Sequence, residues 1–135
     1  MFLAEITRPD LSNSVRELGC QAASPSLHHW RGLQHLLHYL RRSMNFRLHY
    51  PRGLNNDHRR LLNGYADSGW ANASETRRSV TGYLLLFNGS HIVWGSKLRG
   101  PVTLTRSEAE WAAMAHGMPH CIFIWGILTE MGITQ

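Results

Sequence analysis

Up to about residue 45 the apolar positions recur every three or four residues; beyond it they alternate or run together. The first spacing is that of helices and the second that of strands. Leu11, Val15 and Leu18 fall at i, i+4 and i+7 behind Thr7-Arg8-Pro9-Asp10, where proline suits a first helical turn, and predict one helix. A second start at Ser24-Pro25 leads into Leu27, Trp30, Leu33, Leu37 and Leu40, leaving His28, Arg31, His35, His38, Arg41 and Arg42 largely off that stripe. The polar face reads either as solvated basic surface or as a surface that lies along a phosphate backbone.

After Phe46 the texture is strand and turn. Phe46 to Tyr50 is a short candidate strand, residues 51–60 a polar connection, and Leu61 to Asp67 a strand ending in small and polar residues. Val80 to Phe87 and His91 to Trp94 flank Asn88-Gly89, a hairpin signal. Thr105-Arg106-Ser107-Glu108 has the pattern of a capping box and opens a helix at Ser107. Gly117 and Pro119 predict a kink or break near Met118, because proline lacks a donor and clashes with the preceding turn. The fold class expected is α/β of the α+β kind: three antiparallel strands and a long helix, preceded by a two-helix segment. The expected divisions are residues 1–45, 46–60 and 61–135.

Composition narrows the class. The 135 residues are 43% hydrophobic and 17% charged, enough to bury a core and too apolar for a wholly disordered chain. The longest apolar run, Cys121 to Leu128, is far short of the roughly 20 residues of a membrane span. Glu5 and Arg8 interrupt the start where a signal peptide would be apolar, and Cys20 and Cys121 make neither a disulfide framework nor a zinc knuckle. An intracellular compartment, cytoplasmic or nuclear, and no membrane partner are therefore expected. The formal charge is +5, and thirteen of the fourteen cations are Arg, whose planar fork suits phosphate.

Only nine acids are present, so each can be weighed. Glu5, Asp10, Glu17, Asp57, Glu75 and Glu130 fall near helix ends, in connections or on helix surfaces, and Glu108 serves the cap. Asp67 at a strand end and Glu110 at a helix start remain. They read either as a strand-end turn and a dipole-compensating helix residue, or as two carboxylates converging on Mg²⁺ or Mn²⁺. A zinc site from His28, His35 and His38 is a further alternative, without a carboxylate on that helix to complete it. The tryptophans read as core, although Trp70, beside the Asp67 strand, could stack on a base.

The segments TRPDLSNSV, HWRGLQHLLHYLR, GYADSGWA, TRRSVTGYLLLFNGSHIVWGSK and VTLTRSEAEWAAMA, in this order, resemble the end of the reverse transcriptase and the RNase H domain of copia-type LTR retrotransposon Pol polyproteins. The resemblance covers almost the whole chain. It implies an incomplete RNase H-like fold over residues 61–135 and a helical segment from the reverse transcriptase end over residues 1–45. It implies that Asp67 and Glu110 are catalytic metal-binding residues, and that Mg²⁺ or Mn²⁺ would serve hydrolysis of RNA in an RNA/DNA hybrid. Ser96 and Lys97 lie in the family's W-x-S-K segment and would contact phosphate.

Departures accompany the match. The family's third metal-binding aspartate follows the first helix in a C-D-N type strand, and no such segment occurs before Gln135. Gly69 stands where a second Asp is usual, Asn72-Ala73 replace a common Gly-Asp, and Arg106 replaces a hydroxyl residue. The expectation is a truncated Pol fragment, catalytically incomplete alone, with the rest of the polyprotein as partner. The alternative is a non-catalytic nucleic-acid-binding module gripping through Arg31, Arg41, Arg42, Arg77, Arg78, Lys97 and Arg99.

Overall fold

The computed structural model describes residues 2–51, 61–69, 79–98, 105–133 and 135. The chain forms two compact units, Met1–Leu48 and His49–Gln135. It is an α+β protein with a three-stranded antiparallel sheet and a long C-terminal helix.

In the first unit, helix α1 (Phe2–Ile6) precedes a single 3₁₀ turn at Pro9–Leu11, which runs into α2 (Ser12–Cys20) and then α3 (Leu27–Arg42). Pro9 occupies the start of the 3₁₀ turn, where its missing N–H costs nothing. The sequence spacing reveals α2 and α3 but not α1, whose five residues are too few to show a period. α3 starts at Leu27 with Ser26 as its cap, two residues later than Ser24 suggests. His29 takes the place of the usual Glu or Gln of a capping box: its Nδ1 accepts from the Ser26 backbone N–H at 3.0 Å.

The core of this unit is small and partly polar. Ala4 and Leu11 are buried beside Arg8, which is only 7% exposed. The Arg8 guanidinium grips Asp10 through both carboxylate oxygens, Nε to Oδ1 at 3.0 Å and Nη2 to Oδ2 at 2.8 Å. It also donates to the Ser43 carbonyl at 3.0 Å and to Ser43 Oγ at 2.7 Å. Tyr39 Oη donates to Asp10 at 2.8 Å, and the rings of Tyr39 and Phe46 lie 5.9 and 5.7 Å from the guanidinium carbon. A single cation thus ties the segment before α2 to the end of α3. The large apolar residues of α3, by contrast, remain exposed at Leu27, Trp30 and Leu37.

In the second unit the strands are β1 (Leu62–Gly69), β2 (Val80–Phe87) and β3 (Ser90–Leu98), in the order β1-β2-β3. Asn88 and Gly89 both have positive φ, 51° and 74°, the backbone of the tight hairpin that their sequence announces. β3 runs four residues past Trp94, because Gly95 to Leu98 continue the ladder with β2. The candidate strand Phe46–Tyr50 is not a strand. The residues at its end are held by side chains instead: Ser90 Oγ donates to the His49 carbonyl at 3.1 Å and Tyr50 Oη to the His91 carbonyl at 2.9 Å.

Helix α4 (Arg106–Glu130) covers one face of β1 and β2. Its buried positions facing the sheet are Ala109, Ala113, Gly117 and Leu128. The first three recur every four residues and permit close approach: a Cβ at Gly117 would stand 3.4 Å from Tyr83 Cβ. Thr105 caps the helix by accepting from the Glu108 N–H at 3.1 Å. The expected break at Pro119 is absent, and the helix runs on to Glu130. Proline removes only the bond to the Ala115 carbonyl, while packing on the sheet secures the turns on either side. Among the described residues no helix is long and apolar enough to cross a membrane.

Candidate functional site

Side chains alternate along a strand, and residues directly paired across strands share a face. Ala66 pairs with Tyr83, and Ser68 with Thr81, on the side that α4 covers. Asp67, one residue out of step, belongs to the side away from α4. It pairs with Gly82, which in turn pairs with Ser96, so Asp67 and Ser96 flank a position without a side chain. No atom lies within 4 Å of where a Gly82 Cβ would stand. The next row on the same face is Tyr65, Leu84 and Trp94. Beside Asp67 the face away from α4 therefore combines a carboxylate, a hydroxyl, a position without a side chain and two aromatic rings, Tyr65 exposed and Trp94 half-buried. Tyr65 and Trp94 are the members that reading for charge alone misses; the signal for them is their two-residue offset from Asp67 and Ser96.

Asp67 is exposed, and its Oδ1 accepts from the Ser68 backbone N–H at 2.8 Å. Beneath it, Ser68 Oγ and Thr81 Oγ1 are buried without a hydrogen-bond partner among the described residues. They point to the helix side, away from the carboxylate. Glu110 lies one turn inside α4 rather than at its start, because the helix begins at Arg106. Its Oε1 accepts from Arg106 Nε at 3.0 Å, an exposed pair four residues apart. The residue that departs from the family pattern is thus the one that occupies this glutamate.

A hard divalent cation takes six or more oxygens. Asp67 and Glu110 each have one oxygen already engaged, and they issue from different layers. Among the described residues no three His, Cys, Asp or Glu side chains come close enough to hold a metal. The alternative zinc trio fails in the same way, since His28 and His35 are two turns, about 10 Å, apart along α3.

Arg31, Arg41 and Arg42 are all exposed on α3 in the first unit. In the second, Lys97 is exposed and Ser96 half-buried on β3. Arg77, Arg78, Arg99 and Trp70 lie outside the described residues.

No family model matches the chain, and no solved structure gives a significant match. Relatives do. The "Retrovirus-related Pol polyprotein from transposon TNT 1-94" of Nicotiana tabacum is 33% identical over all 135 residues. That from transposon RE2 of Arabidopsis thaliana is 31% identical over 127 residues, 94% of this chain. The chain belongs to the copia-type retrotransposon Pol polyprotein family. It spans 10% and 8% of the length of those two polyproteins. It is also similar to a shorter protein, "Secreted RxLR effector protein 161" of Plasmopara viticola, at 34% identity over 92% of this chain and 84% of that one. A Pol-derived stretch of this kind therefore has a relative of nearly its own size.

Proposed function

We propose that the chain is an RNase H-like part of a Pol polyprotein, ancestrally concerned with Mg²⁺-dependent hydrolysis of RNA in RNA/DNA hybrids, which grips such a hybrid without cutting it. The observation that carries this reading is the state of its two key carboxylates. Asp67 and Glu110 occupy the positions at which the family's motifs hold metal, yet Glu110 is bound to Arg106 and Asp67 lies on the face of the sheet away from α4. Attack of water on a phosphodiester needs a metal pair to stabilise the entering and leaving oxygens, and two carboxylates, one of them paired with Arg106, are too few to cage it.

Binding asks less. A formal charge of +5, with Arg31, Arg41 and Arg42 exposed along α3, supports sequence-independent attraction to a phosphate backbone. Tyr65, exposed on the face away from α4, offers a ring for a base at a single-stranded end of such a hybrid. Without a metal, Asp67 repels phosphate rather than recruiting it. The rest of the polyprotein is the natural partner, and would contribute the groups that complete hydrolysis.

The test is incubation with an RNA/DNA hybrid in Mg²⁺ and, separately, Mn²⁺, alongside Asp67→Asn. The expected outcome is no cleavage above the variant's background, with a gel shift that weakens as salt rises. Replacing Arg31, Arg41 and Arg42 by Ala should weaken the shift, and Asp67→Asn should not. Hybrid-specific cleavage abolished by Asp67→Asn would overturn the non-cutting reading, and the absence of any shift at low salt would overturn the gripping one.

A further inference from the structure

α4 is apolar on two faces. One packs on the sheet through Ala109, Ala113, Gly117 and Leu128. The other carries Trp111, Met114, Met118, Ile122 and Trp125, exposed by 71, 43, 52, 58 and 54%. From Trp111 to Thr129 the helix contains no Asp, Glu, Lys or Arg. Tyr83 holds its two histidines on the sheet side, His120 stacked at 5.0 Å and His116 edge-on at 5.7 Å. The outer stripe thus has no charge within it to keep it in water. A surface helix normally has one apolar stripe; a helix apolar on both sides is one that is covered on both.

The spacing of the stripe identifies the cover. The five residues follow one another at intervals of three, four, four and three, and the order Trp, Met, Met, Ile, Trp has an aromatic at each end and flexible or branched aliphatics between. It therefore reads alike in both directions about Met118. A two-fold axis through Met118 in an antiparallel helix pair sets Trp111 of one copy against Trp125 of the other, Met114 against Ile122, and Met118 against itself. Such reciprocity is what a two-fold interface requires: residue i meets j while j meets i. We propose that the outer face of α4 is the dimerisation surface of this protein, its occupant a second copy of α4 running antiparallel.

The area is sufficient. With large aromatics offering about 150–250 Å² each, the five side chains at these exposures present on the order of 500–600 Å² per copy. Both copies together, with flanking Ala112 and Ala115, reach about 1,200 Å², the lower end of stable interfaces. Trp and Met are also the side chains enriched in interface cores, and charged ones are depleted there.

Sedimentation of the full chain at tens of micromolar should give a dimer. Met118→Lys places two charges on the axis at once and should weaken dimerisation at least about 100-fold, while Met44→Lys, at a still more exposed methionine in the other unit, should leave it unchanged. Circular dichroism checks that Met118→Lys retains its helix. A second experiment is independent of that variant's folding. With Cys20 and Cys121 replaced by Ser, Met118→Cys should form a disulfide between copies under mild oxidation. Trp111→Cys should not, since its two copies would lie about 20 Å apart along the antiparallel pair. A wild-type monomer at these concentrations, a dimer indifferent to Met118→Lys, or ready crosslinking at position 111 would each overturn the proposal. None of these outcomes depends on nucleic-acid binding.

Discussion

Replacing Arg8 by Ala removes the cation on which the first unit is assembled, and the geometry sets the size of the loss. Four hydrogen bonds disappear, two to Asp10 and two to Ser43, all between 2.7 and 3.0 Å from a buried guanidinium. Asp10 keeps only the Tyr39 hydroxyl, and the Ser43 carbonyl loses its side-chain donor. Breaking a fully buried ion pair costs about 3–5 kcal/mol. The Asp10 side chain is 31% exposed and recovers part of its hydration, so about 2–4 kcal/mol is the expected destabilisation. Arg8→Lys should lose about half as much, because an ammonium cannot serve both oxygens of Asp10 and both atoms of Ser43.

The acid response gives a second reading of the same contact. The Arg8 hydrogen bond, more than any other influence, holds the Asp10 carboxyl below its ordinary 3.8. A depressed carboxyl lends stability that is present above that ordinary value and is lost as pH falls through the folded one. The wild type should therefore lose stability below about pH 4, and the gap between it and Arg8→Ala should narrow there. Urea unfolding followed by far-ultraviolet circular dichroism, at pH 7 and pH 3, measures both effects. An Arg8→Ala loss below about 0.5 kcal/mol, the range of ordinary surface changes, would refute the hub.

Two further substitutions test the second unit. At Gly95 an added Cβ would stand 2.8 Å from the Tyr83 ring, which His120 and His116 hold in place, so Gly95→Ala should destabilise by about 1–3 kcal/mol in a thermal melt, with part of the loss recovered by adding Tyr83→Leu. Pro119→Ala returns an N–H to the interior of α4 and should raise stability by about 1–3 kcal/mol; an unchanged or lowered melting temperature would mean that the helix depends on the proline.

What the sequence made legible is what local chemistry decides. Alternation and Asn88-Gly89 place β2, its hairpin and the start of β3, and Thr105 places the start of α4 to within a residue. The Arg8 hub is not legible, because it joins positions 35 residues apart and depends on how the ends of α2 and α3 meet. Continuity through Pro119 is likewise a tertiary effect, in which packing against the sheet outweighs the propensity of one residue. The candidate site divides along the same line. Motif spacing selects Asp67 and Glu110, but register alone reveals that Asp67 shares its face with Tyr65, Ser96 and Trp94 while Glu110 answers to Arg106.

The second unit distributes its side chains in a way that connects stability to the site. The contact of α4 with the sheet is made largely by Ala, Gly and one Leu, while its Trp and Met residues point outward. Small residues at the contact bury little area but bring helix and strands close, so that a Cβ added at Gly117 would already meet Tyr83 Cβ at 3.4 Å. This fixes the depth of α4 over β1, and with it the relation between the helix that carries Glu110 and the strand that carries Asp67. A bulkier residue at Ala109 or Ala113, both wholly buried, would lift the helix off the strand before altering either carboxylate. The large apolar side chains thus keep much of their surface exposed in the folded chain and gain further by association. The same helix therefore serves the geometry of the carboxylates with its inner face and assembly with its outer one.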